Sequence, residues 1–327
     1  MTNATLERTT LDISETLRKN STLVYPFVSV FAIIAYFTIT SPQFLTFDNA
    51  TNIGRQAAVL LLVALAGTIV IVIGSIDLSV GANVTLSGLV TAAAVDRIGL
   101  LGAITAGVLA GAAIGFANGA IYTGLKVPSF LVTLGTMSVC AGVAGHLSGG
   151  SAIVYSSTAL PEFVNSKSLL GIPNVIFIVL AVAALLTAVS FRTKFGRYLY
   201  AIGGGEPVAV LSGINLRRYK ILAFVLGGAL CGLGGVILTG QVQAGSPSAG
   251  DALLLDSIAA VVMGGTALSG GLGGAHRTVL GVVVIALLSN GMDLTGVNNF
   301  TQEIVKGLVV VASVALTIDR SRYSFIK

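Results

Sequence analysis

The sequence predicts an all-α polytopic membrane protein of about ten transmembrane helices with both termini in the cytoplasm, and three observations predict it. Apolar stretches long enough to cross a bilayer recur along the whole chain. Of 327 residues, 54% are hydrophobic and 9% charged, where a soluble domain carries about 25% charged residues; mean hydropathy is +0.95. Lysine and arginine crowd into alternate loops. No hydrophilic block longer than about 30 residues interrupts the pattern, which leaves no room for a fused ATPase or binding domain.

Residues 1–20 are polar, mix charges and lack a short apolar core followed by a cleavage site, so they read as a cytoplasmic tail and not a signal peptide. A hydrocarbon core of about 30 Å takes about 20 helical residues. Spans are predicted near 23–39, 57–73, 80–95, 100–123, 130–147, 175–191, 221–239, 252–268, 278–292 and 304–318. Residues 320–327 form a second cytoplasmic tail, and 21–319 make one transmembrane domain. Several runs are shorter than a full crossing, as tilted pairs, half-helices or breaks buried in protein would be.

Orientation follows from the basic residues. With the N-terminus inside, the cytoplasmic side collects Arg8, Arg18, Lys19, Lys126, Arg192, Lys194, Arg197, Arg217, Arg218, Lys220, Arg277, Arg320, Arg322 and Lys327, while Arg55, Arg97 and Lys167 fall outside. The net charge of +5 is therefore topological, and no aromatic and basic interleaving points to nucleic acid. The longest external loop, 148–174, carries Pro161, Glu162, Asn165 and Lys167 and offers a landing surface to an extracytoplasmic partner.

Chemistry-bearing residues are scarce. Cys140 and Cys231 sit in apolar runs, where a thiol is a small hydrophobe. His146 and His276 lack Cys, Asp or Glu at ligand spacing and no Ser-His-Asp set stands out, so no catalytic residue, metal site or cofactor is predicted. Leu-Ser-Gly-Gly occurs at Leu147–Gly150 and Leu268–Gly271, but no G-x-x-x-x-G-K-[ST] loop accompanies it, so both copies read as glycine-rich span ends.

Glycine carries the packing. Gly107, Gly111, Gly115 and Gly119 recur every four residues, stacking on one helix face that another helix approaches closely, and Gly228 and Gly232 repeat the device. Ionisable residues inside lipid are costly and few: Asp77, Asp256, Asp293, Glu303 and Lys306. Glu303 and Lys306, three apart, are expected to neutralise each other. Asp77 breaks an apolar run at Gly74-Ser75-Ile76-Asp77-Leu78-Ser79-Val80-Gly81 and suits a helix cap or a gate. Asn83 and Asn118 offer amides to a polar solute or to a neighbouring helix.

Between the sixth and seventh spans, 192–220 is basic and marked by glycine. Pro207 after Glu206 suits the first turn of a helix and Ser212-Gly213 its end, giving about six residues that lie on the membrane face. Arg217, Arg218 and Lys220 are expected to anchor the next span at the headgroups. A plain connection needs only a few residues, so this structured segment reads as a docking knob.

Four ordered blocks carry a resemblance: Gly74 to Gly81, Lys126-Val127-Pro128-Ser129-Phe130-Leu131-Val132-Thr133-Leu134-Gly135-Thr136-Met137, Gly196-Arg197-Tyr198 through Gly213-Ile214-Asn215, and Gly264-Gly265-Thr266-Ala267-Leu268-Ser269-Gly270-Gly271. Across about residues 56–318 the chain resembles the inner-membrane permease subunits of bacterial ABC importers for ribose, xylose, arabinose and galactose. The resemblance implies a type II-like permease that pairs with a second permease chain, a homodimer, around a central pathway. It also implies cytoplasmic ABC ATPase subunits and a periplasmic sugar-binding protein. Gly203, Gly204, Glu206, Pro207, Ala209, Ser212, Gly213 and Ile214 would form the ATPase-coupling segment. The pattern departs at Gly205, Val208, Val210 and His276-Arg277, as a matched and non-interchangeable ATPase would require. The expected mechanism is alternating access, with Asp77, Asn83, Asn118, Ser129, Thr133 and Thr136 near the pathway or its gates. The alternative is an ion-coupled secondary transporter of a small polar solute, which should show titrating groups in mid-span.

Overall fold

The computed structural model describes residues 21–317, and the two predicted tails lie outside them. The chain is mostly helical. In order it forms α1 (Ser21–Thr40), α2 (Phe47–Val72), α3 (Val80–Leu125), α4 (Ser129–Ser148), α5 (Ala159–Asn165), α6 (Asn174–Arg192), α7 (Lys194–Gly204), α8 (Glu206–Leu211), α9 (Leu216–Val242), α10 (Leu253–Met263), α11 (Ala275–Leu294) and α12 (Asn299–Thr317). Each predicted apolar stretch overlaps a helix. Among the described residues, α2, α3, α4, α6, α9 and α11 are the six helices long and apolar enough to cross a membrane.

α3 is in fact a hairpin. Its 46 residues would reach about 70 Å if straight, more than twice a hydrocarbon core. Gly99, at φ 71° and ψ 179°, adopts a conformation open to glycine and turns the chain back. The arms then run antiparallel: the Asn118 amide donates to Ser79 Oγ at 2.9 Å and the Asn83 amide to the Gly111 carbonyl at 3.2 Å. By contrast, α10 is shorter than its apolar run. Its 11 residues reach about 16 Å, about half the core, because Gly264 and Gly265 end it.

α9 lies against the α3 hairpin, and the two glycine stripes face each other. A Cβ at Gly111 would strike the Gly228 carbonyl and come within 2.7 Å of Gly232 Cα; one at Gly115 would strike the Phe224 carbonyl. α2 is buried through most of its length, with Leu62, Val63, Ala64, Leu65 and Val70 fully inside. α1 packs through Phe37, which meets Phe44 and Met292, while Asn49 and Asn290 exchange reciprocal amide bonds of 2.9 Å.

Two departures from an all-α chain involve the long loop, one of them pairing it with the segment after α9. β1 (Ile153–Val154) pairs with β4 (Ala244–Gly245), and β2 (Lys167–Leu169) with β3 (Ile172–Pro173). The Asp96 carboxylate accepts from the Ser156 and Ser157 amides, both at 2.9 Å, and Tyr155 donates to the Thr239 carbonyl at 3.0 Å. These bonds fasten the 148–174 loop over the end of the bundle that carries Gly99.

Two charge expectations are corrected. Lys306 pairs with Asp256 on α10 at 2.9 Å, across two helices, and Glu303 on its own helix is exposed. Lys220 is not a headgroup anchor: only 7% of it is exposed and it pairs with Glu206 at 2.5 Å, while Arg217 and Arg218 are exposed. In both cases a partner distant in sequence competes better than lipid or a helical neighbour, because burial removes the water that would otherwise solvate the ammonium.

Candidate functional site

At the end of the bundle opposite Gly99, α2 stops. The Gly74 amide donates to Ile71 and the Ser75 amide to Val70, satisfying two of the last carbonyls. The chain then runs without helix to Ser79. Asp77, 9% exposed, turns its carboxylate back onto this stretch, where Oδ1 accepts from the Ser79 amide at 2.8 Å and from Ser79 Oγ at 2.6 Å. Ser79 in turn accepts from Asn118, so one serine hydroxyl ties the break to the far arm of α3. Asn83, one turn further in, accepts from Ser87 Oγ at 3.0 Å while donating to Gly111.

The backbone amides that the break frees are taken by α4. Ser129 Oγ accepts from the Ile76 amide at 3.1 Å and Thr133 Oγ1 from the Leu78 amide at 3.0 Å. Such an irregular segment is stable at membrane depth only because protein supplies its partners. Thr136 bonds the Val132 carbonyl of its own helix at 3.1 Å and is half-buried. Thus Asp77, Ser129 and Thr133 meet at the break, Asn118 and Asn83 lie between the arms of α3, and Thr136 stands apart. Asn118 is fully buried and its Oδ1 has no partner.

Against the break sits the glycine-rich loop after α10. The Gly271 amide donates to the Val72 carbonyl at 2.9 Å, and a Cβ at Gly270 would come within 2.7 Å of the Gly74 amide. On the same loop rests α7, through Gly203 and through Tyr200, whose hydroxyl donates to the Gly273 carbonyl at 2.9 Å. Burial pushes the Tyr200 phenol up, partly offset by Arg277, so it stays a neutral donor. A side chain at Gly203 would strike Val72, whereas Gly204 faces open space.

α8 follows. Gly205 precedes it, Pro207 occupies its first turn, and Glu206 supplies the acid that a helix start favours. Its end is a Schellman cap: the Ile214 amide reaches the Ala209 carbonyl and the Gly213 amide the Val210 carbonyl, both near 3 Å, with Gly213 at φ 77° and Ser212 at the cap position. Ala209 points inward at 1% exposure, while Val208, Val210 and Leu211 stand out at 67, 54 and 89%. An apolar crest on a short helix is a contact surface in want of a partner.

Sequence reasoning misread Lys220 as a headgroup anchor and gave no role to Tyr122 or Ser75. Lys220 Nζ donates to Glu206 Oε1 and, at 2.8 Å, to Tyr122 Oη, which also accepts from Ser75 Oγ at 3.2 Å. The available signal was that Lys220 lies inside α9, past Arg217 and Arg218, where a charge is buried or paired.

The family described as branched-chain amino acid transport system / permease component matches residues 49–314. The ribose import permease protein RbsC of Bacillus subtilis (strain 168) is 39% identical over 299 residues, 91% of this chain and 92% of that one. The ribose import permease of Escherichia coli (strain K12) is 36% identical over 291 residues, 88% and 91% of the two chains. The D-allose transport system permease protein AlsC of the same strain is 35% identical over 291 residues, covering 87% and 88%. No solved structure matches. On the family match and on relatives aligned over most of both chains, this chain belongs to the branched-chain amino acid transport system / permease component family, a multi-pass inner-membrane subunit of bacterial ABC importers that serves transport and not catalysis.

Proposed function

We propose that the chain is the membrane subunit through which an ATP-driven ABC importer carries a monosaccharide of the pentose or hexose class into the bacterial cell by alternating access. ABC sugar permeases work in general with an ATPase and a periplasmic binding protein. In this reading the chain crosses the bilayer ten times, the two arms of α3 counting separately and α10 as a crossing completed by the loop after it. Both termini lie in the cytoplasm, as the distribution of Lys and Arg favours. The end with α7, α8 and the break then faces the cytoplasm, and the 148–174 loop faces the binding protein.

The observation that carries the reading is convergence. The four blocks that resemble sugar permeases, far apart in sequence, meet at one end of the molecule beside the exposed crest of α8. ATPase subunits docked on α8 would move it as a rigid body, and α7 and the glycine loop would pass that motion to the break. Asp77, Ser129 and Thr133 hold the break in one of its two arrangements, with Asn83, Asn118 and Thr136 nearby in the pathway region. Two copies of the chain enclose that pathway. The solute is neutral, in keeping with the scarcity of buried charge, and selectivity rests mainly with the binding protein.

Proteoliposomes containing the permease, its ATPase and its binding protein test this. The expected result is ATP-dependent uptake of a pentose or hexose that disappears when any one component is omitted. Uptake by the permease alone under an imposed proton or sodium gradient would refute it.

A further inference from the structure

We propose that Lys220 is a positioning residue that ties the docking helix to the break, so that α8 cannot be displaced without pulling on Ser75. The inference rests on the importer reading above and adds to it the route by which motion enters the bundle.

The geometry is a four-way junction. Lys220 leaves the start of α9 and is 7% exposed. Its ammonium donates to Glu206 Oε1 at 2.5 Å and to Tyr122 Oη at 2.8 Å, and lies 4.7 Å from the centre of the Tyr122 ring. The ring is held edge-on to Phe224, a fully buried residue of α9, with 5.8 Å between centroids. The phenol oxygen accepts from Ser75 Oγ at 3.2 Å, and Ser75 itself is 1% exposed. One buried cation therefore joins α8, α9, the second arm of α3 and the head of the break.

A buried ammonium holds its partners tightly, because losing its carboxylate leaves a charge without solvent. If α8 shifts, either Lys220 follows with the phenol and Ser75, or the charge is stranded. The first course is favoured, and it delivers displacement to the segment whose next amides, Ile76 and Leu78, are held by Ser129 and Thr133. A cation serves better here than an apolar contact, since it is directional and fails abruptly on separation.

The test is the ratio of sugar molecules imported to ATP hydrolysed, measured in proteoliposomes of the complete importer. Lys220→Met keeps the length of the side chain and removes the junction. The expected result is retained ATPase binding and hydrolysis with about a tenfold lower ratio, and recovery of most of it in Lys220→Arg. Tyr122→Phe, which keeps the ring on Phe224 and loses the hydroxyl, should lower the ratio as well; it decides the matter where Lys220→Met fails to reach the membrane. A ratio equal to wild type in the variant that assembles overturns the proposal. Absence of ATP-driven uptake in the wild-type complex would instead sink the importer reading.

Discussion

Lys306 on α12 donates to Asp256 in the first turn of α10 at 2.9 Å, with 16% of each side chain exposed. This ion pair joins the shortest of the apolar helices, which cannot cross a membrane unaided, to the last described helix. It fixes the first turn of α10, whose other end runs straight into the glycine-rich loop that packs on the break. Half-buried pairs of this kind are poorly replaced by one charge alone.

Removing one partner should be much worse than removing both. Lys306→Met is expected to destabilise the detergent-solubilised protein by about 3–5 kcal/mol, whereas Lys306→Met with Asp256→Leu should fall within about 1 kcal/mol of wild type. Thermal unfolding followed by size-exclusion chromatography checks this double-mutant comparison.

The glycine stripe makes a second, sharper contrast. At Gly115 a methyl group would strike the Phe224 carbonyl, and helix backbone cannot yield as a side chain can. Gly115→Ala should cost about 1–3 kcal/mol, the usual penalty of overpacking. Gly142 on α4 has nothing within 4 Å, so Gly142→Ala should change stability by no more than about 0.5 kcal/mol. The same unfolding assay reads both variants.

Tyr155, which fastens the long loop to Thr239, gives a prediction in pH. Burial, with a smaller contribution from the Asp96 carboxylate, pushes its phenol up from 10 to about 12. A raised acid favours the protonated folded form, so this stabilisation is complete below pH 10 and is lost as pH rises through 12. Ultraviolet titration of tyrosinate should show one fewer phenol still neutral at pH 11 in Tyr155→Phe than in wild type.

Much of this fold is legible residue by residue, and the exceptions share a cause. Apolar runs mark the long helices because lipid and protein interior make the same demand of them. Pro207 and Gly213 mark the ends of α8 because local backbone chemistry decides them. The turn at Gly99 is legible as well, since the spans expected at 80–95 and 100–123 part there with Arg97 between them; what the sequence leaves open is how the arms pair, through Asn83 with Gly111 and Ser79 with Asn118. The pairs Lys220–Glu206 and Lys306–Asp256 were misread for one reason: charge pairing depends on distance in space, and neither partner lies on the same helix. At the break, Asp77 is visible as an anomaly, but the Ile76 and Leu78 amides on either side of it donate to Ser129 and Thr133, which come from a helix some fifty residues on.

The central claim is that energy arrives through the apolar crest of α8. Its most direct test is capture of the ATPase subunits from solubilised membranes by the permease carrying Val208→Asp and Leu211→Asp, two exposed positions at which the fold should tolerate charge. Normal membrane insertion with loss of both ATPase capture and ATP-driven uptake is the predicted result. Retention of a bound ATPase and of uptake at the wild-type rate would contradict it.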